Sequence, residues 1–379
     1  MTFVACNSSA DISGQLEGVN KEGIKVYLIK PETLRNVAAS YLGKVIDSAT
    51  VDSKGKFQFY NLPKTKEPVL LELALQQSNN APNYLETENL NASNYMPILW
   101  QIGKPLKISA KLDEFQNSFS IKKPSEINKA LLDLRDIKKK AYETYLAGKQ
   151  WQFEDGSELL EKEHAILQYQ TELIEFANKT QYLMPAMVAL RWVSLENDYE
   201  RVPEFLVNQC NKWKQKQPNH PWVNELCKKS DASNLPVLIG DKFPNLKVPM
   251  ITKDTLTLNK LLGDKLTIID VWASWCAPCR KENREVLVPI WDEYNDQGLQ
   301  IIAYGLESDE ASWKAAVERD GADRWSNASD LQGDETSFLK KIRLQTIPAN
   351  FILDGNGVVI AKNMHGKALM DLVKSQMNL

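Results

Sequence analysis

The 379-residue chain is short of histidine and cysteine, with three of one and five of the other. His164, His220 and His365 form no His-x-x-x-His cluster, and Cys6, Cys210 and Cys227 each stand alone. A structural zinc site takes four N or S ligands, so the one close cysteine pair, Cys276 and Cys279, lacks the two partners it would need, and no metal is expected. No apolar run approaches the ~20 residues that carry a helix across a bilayer. A dominant charge is missing too. The 46 basic and 49 acidic residues leave a net charge of −3, which gives no footprint for nucleic acid or for an anionic membrane surface. What remains, 43% hydrophobic and 25% charged, is the make-up of an ordinary globular protein, and the length suits two or three domains.

The informative stretch is Trp275-Cys276-Ala277-Pro278-Cys279. Before it, Leu266-Thr-Ile-Ile-Asp-Val-Trp272 is short, apolar and β-branched, and reads as a buried central strand. After it, Arg280 to Val288 reads as the start of an amphipathic helix. Two cysteines at that junction lie where unpaired helix N–H groups and the positive dipole end favour a thiolate. A thiolate is the nucleophile of thiol–disulfide exchange, and a Cys-x-x-Cys motif lowers the cysteine pKa from about 8.5 to about 7 or below. The residues alone leave two other readings open, an inert structural disulfide and half of a zinc site. The lone Asp270 inside the apolar strand adds to the redox reading, because burying an unpaired carboxylate raises its pKa towards neutrality. Glu282, three residues after Cys279, projects from the same helix face. It reads equally as a first-turn glutamate favoured by the helix dipole.

These residues resemble the thioredoxin superfamily, and most closely its TlpA/ResA-like branch of cell-envelope thiol–disulfide oxidoreductases. The matching pieces run from Asp241-Lys-Phe-Pro244, through Ile268 to Glu282, to Thr346-Ile-Pro348, within about residues 236–379. The resemblance implies that Cys276 attacks a substrate disulfide and Cys279 resolves the mixed disulfide. It implies that Asp270 or Glu282 helps to deprotonate Cys279. It places a cis-proline at Pro348, with Ile347-Pro348 holding the substrate backbone, and it makes Trp275 and Pro278 part of the surface a partner meets. Trp272 is expected in the core. Lys265 and Arg280 could favour the thiolate electrostatically or be solvated surface charges. The implied partners are protein disulfides and a membrane-bound or soluble dithiol electron donor, with no dissociable cofactor.

Upstream, residues 11–122 read as β-rich: apolar runs such as Ile24 to Ile29 and Val69 to Leu75 are separated by turn residues at intervals suited to a small antiparallel sandwich. Ile12-Ser-Gly14 and Gly55-Lys-Phe-Gln-Phe59 resemble the N-terminal β domain, of unknown function, that precedes TlpA-like domains in Bacteroidetes envelope proteins. Residues 123–235 read as helical, opened by Pro124-Ser125, with their charges solvated and no catalytic cluster. Cys210 and Cys227, seventeen positions apart, are either a disulfide joining two helix ends or two unrelated thiols. Residues 1–10, with Cys6 followed by Asn-Ser-Ser, look like the end of a truncated bacterial lipoprotein signal whose cysteine carries a lipid anchor.

The expected architecture is thus multidomain α+β: a β-sandwich-like domain, a helical connector and a C-terminal thioredoxin-like α/β domain. The expected function is reduction of protein disulfides, periplasm-facing, through Cys276 and Cys279. Three alternatives carry their own marks. A thiol oxidase differs only in reduction potential. A peroxiredoxin-like peroxidase needs a Thr-x-x-Cys loop that Ser274-Trp-Cys276 does not supply. A surface binding lipoprotein would carry the redox domain as a non-catalytic module.

Overall fold

A computed structural model describes residues 9–19, 22–39, 42–62, 64, 67–77, 93–151, 157–194 and 198–378. Cys6 lies outside them. The chain divides into two compact units. One comprises residues 1–149, 165–198 and 208–228; the other comprises 150–164, 199–207 and 229–379. The helical region is therefore shared between the two rather than forming a body of its own.

The first unit holds β1 (Ile12–Glu17), β2 (Ile24–Lys30), β3 (Lys44–Thr50), β4 (Lys56–Phe59), β5 (Val69–Gln77), β6 (Tyr95–Trp100), β7 (Leu106–Lys111) and β8 (Ser120–Ile121). They form two four-stranded sheets, ordered β4-β1-β7-β8 and β3-β2-β5-β6. Strict alternation in Leu106-Lys-Ile-Ser-Ala-Lys111 buries every second side chain, the signature of a strand with one face on a core. One pairing departs from the expected antiparallel pattern: β1 and β7 run parallel, Ile12 opposite Leu106. Five strands, β2 to β6, lie between them in the chain, so no hairpin ties their directions. The two pieces that carry the upstream resemblance pair with each other, Gly14 opposite Phe57 in the β1–β4 ladder. A Cβ at Gly14 would fall 2.0 Å from the Phe57 ring, so glycine is required for the ring to lie flat on that strand.

β6 is buried on both faces. In this unit α1 (Phe115–Ser118) leads to α2 (Glu126–Tyr145), whose start is capped by Ser125. The Asn128 side chain on α2 pairs with both the N–H and the C=O of Leu99, 2.8 Å each, and closes the edge of β6. α3 (Ser157–Lys179), α4 (Leu183–Val193), α5 (Pro203–Lys216) and α6 (Pro221–Lys229) follow. Cys210 and Cys227 form a disulfide that joins α5 to α6.

The second unit is built on a five-stranded sheet ordered β13-β12-β11-β14-β15, with a short β9–β10 hairpin (Lys247–Pro249, Thr255–Thr257) beside it. β11 (Leu266–Trp272) is central and every one of its residues is buried. β12 (Leu299–Gly305) and β13 (Ser326–Ala328) run parallel to it, as crossover helices require, while β14 (Ala349–Asp354) and β15 (Val359–Lys362) are antiparallel. The helices are α7 (Ala277–Glu282), α8 (Val288–Tyr294), α9 (Glu310–Arg319), α10 (Ser337–Ile342) and α11 (Gly366–Met377). Between α7 and α8 one π-type turn covers Asn283–Leu287. Pro289 explains it: with no N–H to offer the carbonyl of Glu285, it breaks the regular ladder at that turn.

Candidate active site

The site forms where the carboxyl end of β11 feeds the amino end of α7, the edge at which sheets of this kind place their chemistry. Cys276 is the N-cap of α7, and its sulfur accepts the Cys279 N–H at 3.3 Å. Pro278 sits in the first turn, where a missing N–H costs nothing and a fixed φ suits the helix. The two sulfurs are joined in a disulfide. Cys276 is 6% and Cys279 2% exposed, so both residues are buried and the first slightly less so. Trp275 beside them is 64% exposed, the most open large apolar side chain among the described residues, while Trp272 is wholly buried.

The peptide bond between Ile347 and Pro348 is cis. Val271 pairs with Ala349 across β11 and β14, so the next residues along, Trp272 and Pro348, sit side by side at the sheet end that carries Cys276. Chain segments about 75 residues apart thus meet through one strand register, and the neighbourhood of Pro348 follows from that ladder.

Asp270 is 4% exposed in β11; its backbone is paired in the sheet, and its carboxyl makes no hydrogen bond among the described residues. Burial, and then the nearby charge of Glu282, push its pKa up to about 8, so it holds its proton at neutral pH. Glu282, also buried, is placed differently. Its carboxylate accepts the N–H of Gly366, the first residue of α11, at 2.9 Å, and the positive end of that helix faces it. His365 lies next to it, Nδ1 3.6 Å from Oε1. The two acids therefore differ in kind, one a carboxyl without a donor and the other a carboxylate tied to a helix start.

The two positively charged residues singled out from the sequence, Arg280 and Lys265, both have partners elsewhere. Arg280 donates two bonds, 2.7 and 2.8 Å, to the fully buried carboxylate of Asp320, which also takes one from Arg284 at 2.8 Å. Its charge is spent on that acid, which raises its own pKa further. Lys265 stands at the opposite end of β11, about 20 Å along the strand, with Nζ on the carbonyl of Met377. Of the two, only Arg280 lies at the cysteine end of β11, and there it is paired with a buried acid instead of being solvated.

Glu307 was not apparent from sequence. It is 2% exposed, and its carboxylate accepts both the N–H and, at 2.8 Å, the hydroxyl of Ser274, two residues before Cys276. Burial raises its pKa. A glutamate two residues past a buried strand, Leu299–Gly305, was the only available hint.

Sheet, cysteine-bearing helix start and cis-proline together define a thioredoxin-like domain. Residues 239–362 match the AhpC/TSA family. Among curated proteins, the thiol:disulfide interchange protein DsbE of Pseudomonas fluorescens biotype C is 27% identical over 134 residues, 34% of this chain and 68% of that protein. The thiol-disulfide oxidoreductase ResA of Bacillus cereus is 27% identical over 124 residues, 33% of this chain and 68% of the relative. Among solved structures, the thioredoxin domain of a thiol-disulfide oxidoreductase from Bacteroides vulgatus is 25% identical, with a TM-score of 0.34, covering 37% of this chain and 97% of that one. The C-terminal part of the chain has the sheet, cysteine pair and cis-proline of a thioredoxin-like domain and is similar in sequence to proteins named thiol–disulfide oxidoreductases.

Proposed function

We propose that the protein reduces protein disulfides in the cell envelope through the Cys276–Cys279 pair. The observation that carries this reading is the pair itself: two cysteines within bonding reach, at a helix start, preceded by an exposed tryptophan. In the reduced protein the Cys276 thiolate attacks one sulfur of the substrate disulfide, and the other substrate sulfur leaves as a thiolate and takes up a proton. Cys279, its proton taken by Glu282 or by the fraction of Asp270 that has ionised, then attacks Cys276. The second substrate thiolate leaves, and two electrons have passed from the pair to the substrate. A dithiol partner must restore the pair, and no dissociable cofactor is needed. The envelope is supported by a second disulfide, Cys210–Cys227, of a kind that persists in oxidising compartments and is rare where thiols are kept reduced. Attachment of a lipid at Cys6 is part of the proposal, and the mass of the mature N-terminal peptide tests it.

The deciding measurement is the reduction potential of Cys276–Cys279 with Cys210 and Cys227 left paired and Cys6 changed to serine. A value near about −270 mV supports a reductase, and one near about −120 mV assigns the reverse direction, disulfide formation. A pair that no thiol buffer reduces removes the catalytic reading. In parallel, Cys279→Ser should trap substrate as a mixed disulfide on Cys276, and Cys276→Ser should trap nothing.

A further inference from the structure

The loop around Pro348 is held from outside the redox motifs. The Glu200 carboxylate accepts the N–H of Gln345 at 2.8 Å, the N–H of Thr346 at 3.2 Å and the Thr346 hydroxyl at 3.3 Å. Its neighbour Arg201 donates to the carbonyl of Pro348 at 3.3 Å and to the Asn363 side chain at 3.0 Å, and pairs with Glu163 at 3.3 Å. Glu204, one turn on, secures the segment: it pairs with Lys362 of β15 at 2.8 Å and accepts the N–H of Ile239 at 3.0 Å. Lys362 is buried, which lowers its pKa and makes an unpaired state costly. These three charges in one short stretch of the helical region are therefore not solvated as the sequence suggested.

The pattern of bonds is selective. The N–H groups of Gln345 and Thr346 are taken by Glu200 and the carbonyl of Pro348 by Arg201. Ile347 itself has neither its N–H nor its C=O in a hydrogen bond among the described residues. A short free backbone edge at Ile347, held on one side through the N–H groups of Gln345 and Thr346 and on the other through the Pro348 carbonyl, is what an extended substrate segment needs to pair beside the disulfide. We propose that Glu200 and Arg201 are positioning residues that fix this edge, so that a polypeptide disulfide is presented to Cys276 in reacting geometry. This role rests on the thiol–disulfide reading above. Small disulfides, which have no backbone to pair, should not sense it.

The test compares the full chain with Glu200→Ala, Arg201→Ala, Glu200→Gln and Arg201→Lys, using insulin as protein disulfide and 5,5′-dithiobis(2-nitrobenzoate) as small disulfide. A misplacement of about 1 Å costs up to roughly 10²-fold, so kcat/KM for insulin should fall at least about fivefold in the two alanine variants, mainly through KM. Reaction with the small disulfide and the reduction potential should stay at wild-type values. Amide exchange at Gln345 and Thr346 should quicken in Glu200→Ala, and Glu200→Gln, which keeps an acceptor, should recover part of the loss. If an alanine variant does not fold, Glu200→Gln and Arg201→Lys carry the same comparison at smaller amplitude. Insulin turnover unchanged while those amides quicken would overturn the positioning role, and so would equal losses on both substrates with a shifted potential. A wild-type protein that reduces neither substrate would remove the functional reading, and this role with it.

Discussion

At the scale of single residues, Asp270 has the clearest pH signature. Its carboxyl keeps a proton up to about pH 8 in the folded protein, whereas the unfolded chain releases it near 3.8. Between these values the folded state binds more protons, so its stability falls as pH rises, by up to about 1.4 kcal/mol per pH unit from this group. Asp270→Asn removes that slope. The oxidised variant should match wild type near pH 4 and unfold at a higher temperature at pH 8. Parallel melting curves at all pH values would show that Asp270 is neither buried nor unpaired. Glu282→Gln should bring the titration of Asp270 down, because the charge of Glu282 is the second cause of its elevation. Glu307 acts on the loop before Cys276. Glu307→Ala leaves two donors of Ser274 without their acceptor, a loss of about 1–3 kcal/mol, and should slow attack by Cys276 on small and protein disulfides alike. That equal effect on both substrates distinguishes Glu307 from Glu200 and Arg201.

At the scale of elements, α7 is anchored by its charges as much as by its apolar face. Asp320, at the end of α9, holds Arg280 and Arg284 in place, and its side chain is wholly buried. Asp320→Ala leaves two guanidinium groups without their acid and should cost about 3 kcal/mol in denaturant unfolding, with the reduction potential as a second readout of α7's position. The legible parts of the sequence were those whose cause is local. β11 shows as seven consecutive buried residues, and the cysteines follow it within one turn. The cis-proline was readable only because a three-residue motif marks it. What stayed hidden depends on partners far along the chain: Ser274 with Glu307, Arg280 with Asp320, Thr346 with Glu200. In each pair a charged residue looks solvated until the fold supplies the other half. The parallel pairing of β1 with β7 stayed hidden for the same reason, since alternation reveals which face is buried and not which neighbour lies alongside.

At the scale of the whole molecule, the Cys210–Cys227 bridge closes a loop with a sequence separation of 17. A cross-link of that span restricts the unfolded chain by about 3 kcal/mol, so replacing both cysteines with serine should lower the unfolding free energy of the first unit by about that amount. Exchange activity should survive, because Cys276 and Cys279 belong to the other unit. The larger lesson comes from how that other unit is assembled. It draws on residues 150–164 and 199–207 as well as 229–379. A gene fragment cut at the start of the recognisable redox region would encode the cysteines, the sheet and the cis-proline, yet lose Glu200, Arg201 and Glu204. Recombination at that boundary would therefore carry over the cysteine pair without the carboxylate and guanidinium that hold residues 345–348.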